Sequence, residues 1–196
     1  MAKSKHEIQR EERRQQIVSM ALELFSRYGF HAVSVSRIAK NCGMSKGLLY
    51  NYFESKEALL KFILQDYAQE IYKALDISRD GQLSTEDFRY FVRTVYAMVK
   101  ANPKYYKLIF SLSFQEEVAA DLAAMAAQNL PFTGGMLKSY FERLGYADPE
   151  SELLYFSSVL KGLLLQVVMV LELPGMSDYI KSYDALVERI INDYSK

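Results

Sequence analysis

Two stretches of the chain carry side chains whose types and spacing suit chemistry on a ligand. Residues 76–87 read DISRDGQLSTED. Asp76, Ser78, Asp80, Ser84 and Asp87 bring oxygen donors at the spacing of a calcium-binding loop, with Gly81 at the turn. The twelfth position holds aspartate where such loops use a longer glutamate, and no second loop is present to pair with it. The same residues also have a reading without an ion. Asp80-Gly81 is a common turn pair, and Ser84 with Asp87 forms a capping-box variant that starts the next helix. The stretch is then a connector between helices, and an EF-hand-like calcium-binding helical protein is the alternative.

The second stretch is Lys46, Gly47, Leu48, Tyr50, Asn51 and Tyr52. Lysine reaches a guanine edge or a phosphate, glycine lets a backbone come close, and tyrosine and asparagine donate to phosphate oxygens or base edges. Leu48 cannot hydrogen-bond, so at a base-facing position it reads a thymine methyl or nothing. Catalytic chemistry finds little to use. His6 and His31 are the only histidines, Cys42 the only cysteine, and neither a phosphate-cradling glycine loop nor a His-Glu-x-x-His motif occurs. The chain reads as a non-enzyme, with no cofactor and no metal centre.

The elements that must position these residues are helical. The 196 residues are half hydrophobic, enough for a packed core, and only 4 are proline. Apolar residues recur at helical spacing and no strand series is apparent, which predicts an all-α fold. A lone cysteine and a start without an apolar leader point to a cytoplasmic protein. The longest nearly uninterrupted apolar run, Gly162 to Leu171, is short of the roughly 20 residues that span a bilayer, so it is expected to be a buried helix and no membrane partner is expected.

Charge divides the chain. Residues 1–56 hold 10 Lys or Arg against 5 Asp or Glu, and residues 57–196 hold 14 against 19. A basic head before an acidic body suggests that the head meets a polyanion. In the head, Ile17, Met20, Ala21, Leu24, Phe25 and Tyr28 form one helical stripe stopped by Gly29, and the charged residues before it are expected to fray. Ser34 caps a short helix bearing Val35, Ile38, Ala39 and Cys42, which Gly43 ends in a left-handed turn. Ser45 caps a second, with Leu49 and Phe53 facing inward. Two short helices across a tight glycine turn make a helix-turn-helix. Ser34 and Lys56 flank it where they could clamp a phosphate backbone, and the core is expected to take Ile38, Leu49, Phe53 and Tyr28.

The stretch SVSRIAKNCGMSKGLLYNYFESKEALL, preceded by LFSRYGF, resembles the DNA-binding signature of the tetracycline-repressor (TetR) family of bacterial transcriptional regulators. The resemblance covers roughly the first 65 residues: the Gly-x-Ser-Lys-Gly turn, the Leu-Tyr-x-x-Phe helix and the Ser-Lys-Glu-x-Leu start of the fourth helix. It implies base or phosphate contacts from Ser45, Lys46, Gly47 and Leu48, phosphate contacts from Tyr50, Asn51 and Tyr52, and backbone clamps from Ser34 and Lys56. Many members have histidine at the position of Tyr52 and a polar residue at that of Leu48. The first change keeps a phosphate donor, and the second removes a polar specificity contact.

The expected organisation is a helix-turn-helix DNA-binding domain over 1–55 and a helical effector-binding and dimerisation domain over 56–196. The body begins with a long helix from Ser55 or Lys56, and a segment over Glu116 to Gln128 and another from about Thr133 to Leu144 are expected to be helical. Aromatic and methionine side chains, Tyr67, Phe88, Phe91, Tyr106, Phe110, Met125, Met136 and Tyr140, could wall a cavity for a small, mostly apolar ligand; each alone also suits the core. The last two helices are apolar over more than one face, through Leu153, Phe156, Leu160, Leu164 and Val167, then Ile180, Tyr183, Leu186, Val187 and Ile190. The resemblance implies that this pair forms a four-helix bundle with a second copy, that the homodimer binds a palindromic operator, and that an effector in the body releases the DNA, most simply as a repressor.

Overall fold

The computed structural model describes residues 4–75, 81–113, 124, 134–171 and 173–195, and nine helices lie among them. They are α1 (Lys5–Tyr28), α2 (Val35–Asn41), α3 (Lys46–Tyr50), α4 (Lys56–Leu75), α5 (Thr85–Ala101), α6 (Pro103–Leu112), α7 (134–143), α8 (Pro149–Leu171) and α9 (Ser177–Asp193). The described residues contain no strand, and the fold is all-α as expected. The segment expected to be helical over Glu116 to Gln128 lies outside the described residues save for position 124, as do Asp76 to Asp80 of the connector and Met125.

Two compact units divide the chain, Met1–Tyr67 and Ala68–Lys196. In the sequence reading α4 falls wholly in the second domain, whereas here its first turns pack with the head. Phe62 is the reason: its ring lies 5.6 Å from that of Phe53 and 4.1 Å from the Arg14 guanidinium. Leu59, Leu60 and Ile63 are buried beside it in sequence.

α1 begins far earlier than the apolar stripe predicts. Ser4 accepts from the Glu7 amide at 3.2 Å and the Glu7 carboxylate accepts from the Ser4 amide at 2.7 Å, a capping box that saves two orphan donors and removes the expected fraying. The Glu, Arg and Gln that follow have good helix propensity, so nothing stops the helix before Gly29.

In the second unit α8 packs against α5, α6 and α9, and α5 also meets α9. Although α8 is long and apolar enough to cross a bilayer by length and composition, Phe156, Leu160, Leu163, Leu164, Val167 and Val168 are buried in this packing. An aromatic cluster fills the space between α5, α7 and α8. Phe88 is fully buried and stacks on Tyr140 with centroids 4.9 Å apart and planes 12° apart. Phe141, Phe156 and Tyr194 complete the cluster, and the Tyr140 hydroxyl donates to the Tyr194 carbonyl at 2.6 Å. A polar clamp ties α9 to α5. Arg93 donates twice to Glu188, at 2.9 and 2.8 Å, while Tyr96 and Lys100 donate to Asp184 at 2.7 and 2.9 Å.

This packing places two sets of the residues singled out above. Phe88 and Tyr140 are buried and stacked on each other. Phe156, Leu160, Leu164, Val167 and Val187 are buried within the chain, so the apolar face that α8 and α9 leave uncovered is a different one. It consists of Leu154, Tyr155, Val159, Met169, Tyr179 and Leu186, all more than a third exposed. Tyr183, Ile190 and Leu153 are half-buried at its edge.

The connector spends its last acid on its own backbone. Both the Ser84 amide and the Ser84 hydroxyl donate to the Asp87 carboxylate, at 3.1 and 2.6 Å, and the Asp87 amide donates back to the hydroxyl at 3.1 Å. Ser84 is therefore the cap of α5 with the buried Asp87 as its capping-box partner, and no cluster of three potential metal ligands occurs among the described residues.

Candidate nucleic-acid interface

The head is built so that a five-residue helix can present one face outward. Gly43 takes φ 64°, a left-handed turn that L side chains resist, and it joins α2 to the segment before α3. On the inner side Ile38, Ala39, Leu49 and Phe53 are buried. Each short helix is opened by a serine: Ser34 accepts from the Arg37 amide at 3.2 Å, and Ser45 from the Leu48 amide at 3.1 Å. Both serines are exposed, and each hydroxyl keeps its proton to donate elsewhere.

The outward face carries Lys46, Gly47, Leu48, Tyr50 and Asn51, all exposed. Lys46 Nζ sits 5.8 Å from the centre of the Tyr50 ring, so the cation and the phenol lie side by side. Leu48 leaves 40% of its surface in water. A Cβ placed on Gly47 would meet only Ser45 Oγ, at 4.0 Å. Nothing inside the protein requires glycine there. Tyr52 is half-buried just past α3.

Lys56 departs from its expected place. Its ammonium donates to the Phe30 carbonyl at 3.0 Å and lies 4.2 Å from the Phe30 ring centre, so it fastens the start of α4 to the loop after α1 rather than reaching outward. Tyr28, expected in the core, is 41% exposed and lies under the Arg37 guanidinium at 3.8 Å. Arg37 was not singled out by the sequence because nothing in its spacing distinguishes it from a solvated helix residue. Cys42 is buried and desolvation pushes its thiol up, while His6 and His31 are exposed.

Residues 17–63 match the sequence profile described as bacterial regulatory proteins, tetR family. An uncharacterized HTH-type transcriptional regulator of Bacillus subtilis, YuxN, is 31% identical over 125 residues, a match spanning 62% of this chain and only 43% of that protein. A second from the same organism, YdgC, is 27% identical over 173 residues and 85% of each chain. Among solved structures, the fatty acid degradation regulator FadR from Bacillus halodurans superposes over 100% of this chain and 97% of its own with a TM-score of 0.74 at 19% identity, a likeness of fold. Such regulators are not enzymes. The helix-turn-helix head thus carries the DNA-binding signature of the tetR family over residues 17–63, and the chain as a whole shares the all-helical fold of the fatty acid degradation regulator.

Proposed function

We propose that the protein acts in the cytoplasm as a homodimeric repressor that binds a palindromic operator and leaves it when a small, mostly apolar effector enters the body. The observation that supports the docking is Gly47, a glycine exposed on the outward face of α3 that no internal contact demands, flanked by Lys46, Leu48 and Tyr50. An outside surface that approaches the backbone at that point explains the choice. In this reading Lys46, Tyr50, Asn51 and Tyr52 hold phosphates or base edges, Ser34 and Ser45 donate to phosphates, and Leu48 packs on a thymine methyl.

Operator fragments selected from genomic DNA supply the test. Lys46→Ala and Tyr50→Phe are expected to weaken operator binding about tenfold or more each, with helicity and melting unchanged; wild-type affinity in both would sink the docking. Gly47→Ala separates stability from function. Alanine in place of a helical glycine should stabilise the head by about 0.5–1 kcal/mol. Its methyl should nonetheless cut operator affinity, read by fluorescence anisotropy beside thermal melting. A variant that is both more stable and equally tight would show that no backbone approach occurs at Gly47.

For the effector, Phe91, Tyr106 and Met136 are buried and Phe110 half-buried in the second unit, and they remain the proposed lining; the side chain of Tyr67 and residue Met125 lie outside what is described. The likeness to a fatty acid degradation regulator makes fatty acids the first class to screen for release of DNA.

A further inference from the structure

Two open grooves on the head share one wall, Tyr52. The larger, about 660 Å³, is otherwise lined by His6, Gln9, Arg10, Glu12, Arg13 and Gln16. The smaller, about 390 Å³, runs past Glu7, Arg10, Glu11 and Arg14. The capping box at Ser4 keeps this half of α1 helical, so its side chains hold a fixed register. His6, Arg10 and Arg13 fall at i, i+4 and i+7, a single helical stripe, and Arg14 stands four residues from Arg10.

None of the three arginines is in an ion pair among the described residues. Two of the three glutamates along the grooves are engaged by neighbours, Glu7 accepting from the Ser4 amide and Glu11 from Gln15 Nε2 at 3.1 Å, while Glu12 lines the larger groove beside Arg13. Arg14 is held in place by its guanidinium, 4.1 Å from the Phe62 ring centre, and its buried Nε has no hydrogen-bond partner. Arg13 is steadied from one side only, donating to Gln16 at 2.6 Å. Guanidinium groups with free donor edges opposite a phenol make a surface for phosphate, with no shape that would read a base.

We propose that the amino-terminal half of α1 and Tyr52 form a second phosphate-binding groove, which continues the DNA footprint beyond α3 and grips the duplex backbone without regard to sequence. The groove rests on the docking of α3 proposed above, and its ligand is the phosphodiester backbone of the same duplex. It adds Arg10, Arg13 and Arg14 to the contact set, leaves the choice of site to α3, and makes affinity more salt-dependent than the helix-turn-helix alone would.

The test measures affinity against salt for a selected operator and for a scrambled duplex, using the full chain. Replacing Arg10 and Arg13 together by alanine should weaken both duplexes by the same factor and lower the slope of log affinity against log salt by roughly 2 per subunit, while Arg10→Lys with Arg13→Lys keeps most of the slope. Helicity and melting point should stay as in wild type. Lys46→Ala is measured in parallel. If the double alanine variant keeps the wild-type slope while Lys46→Ala loses operator affinity, the groove is overturned and the docking of α3 stands. Should neither variant weaken binding, both fall. Loss confined to the operator would mean that the arginines read bases, which also overturns the proposal.

Discussion

Glutamate at both Leu154 and Tyr155 is expected to break the proposed dimer into monomers and to weaken binding to the proposed palindromic operator by at least about a hundredfold. Both side chains leave nearly two thirds of their surface in water, 64% and 63%. Together with Val159 and Met169 of α8 and with Tyr179 and Leu186 of α9, they make an apolar face on two helices that already pack on each other. Apolar faces of this kind mark interaction sites, and a self-complementary face suits a two-fold pair. The large loss on DNA follows from geometry: once one head is bound, the tethered second head meets its half-site at an effective concentration of roughly millimolar, an advantage a monomer forfeits. The fold should survive, because exposed substitutions away from caps and cores usually change stability within about 0.5 kcal/mol. Sedimentation velocity gives the oligomeric state. A variant that remains dimeric would remove this face from the interface.

The second large effect is on stability. Phe88→Ala is expected to destabilise the second unit by about 3–5 kcal/mol, and to lower the melting temperature by on the order of 10 °C. The ring has no exposed surface, stacks on Tyr140 and also touches Phe156 and Tyr194, with centroids at 5.4 and 5.9 Å. Its removal leaves a hole beside Tyr140 and Tyr194, whose hydroxyls are held by hydrogen bonds to the Tyr194 carbonyl and to Glu152. Phe88→Leu, which keeps most of the volume, should cost much less. The experiment also decides between two roles. If Phe88 lined an effector cavity instead, the alanine would change ligand response with little loss of stability, and thermal melting with an effector screen separates the two.

What could be read from the chain alone depended on how local the cause was. The helix-turn-helix was legible because serine caps, a left-handed glycine and an i, i+4 pair of buried residues act within a few positions of one another. Ser34, Gly43 and Ser45 do in the structure what their types suggest. The start of α1 was equally local and was overlooked: Ser4 and Glu7 have capping-box spacing, hidden because no apolar stripe follows until Ile17. Lys56 shows the opposite limit, since its partner, the Phe30 carbonyl, lies 26 residues away and no periodicity announces it. The same holds for the α8 and α9 faces. Both Phe156 and Tyr155 are apolar neighbours on a helix apolar on more than one side, and only the position of α5, α7 and Tyr194 determines that Phe156 turns inward. Aromatic composition likewise cannot separate a cavity wall from a filled core, because the difference lies in whether rings such as Phe88 and Tyr140 touch.

The clamp between α5 and α9 makes the attachment of α9 a matter of protons. Lys100, with Tyr96, holds the Asp184 carboxyl below its ordinary range, and the Arg93 guanidinium does the same for Glu188. Carboxyls lowered in this way contribute stability that is complete above their ordinary unfolded values and is lost as pH falls through the lowered ones. Near neutrality both clamps are intact, and acid weakens them while the buried side chains of Val187, Ile191 and Tyr194 still hold the end of the chain in the core. Because α9 also carries the exposed Tyr179 and Leu186, the helix whose clamps answer to acid is one whose outer face the proposed dimer would use.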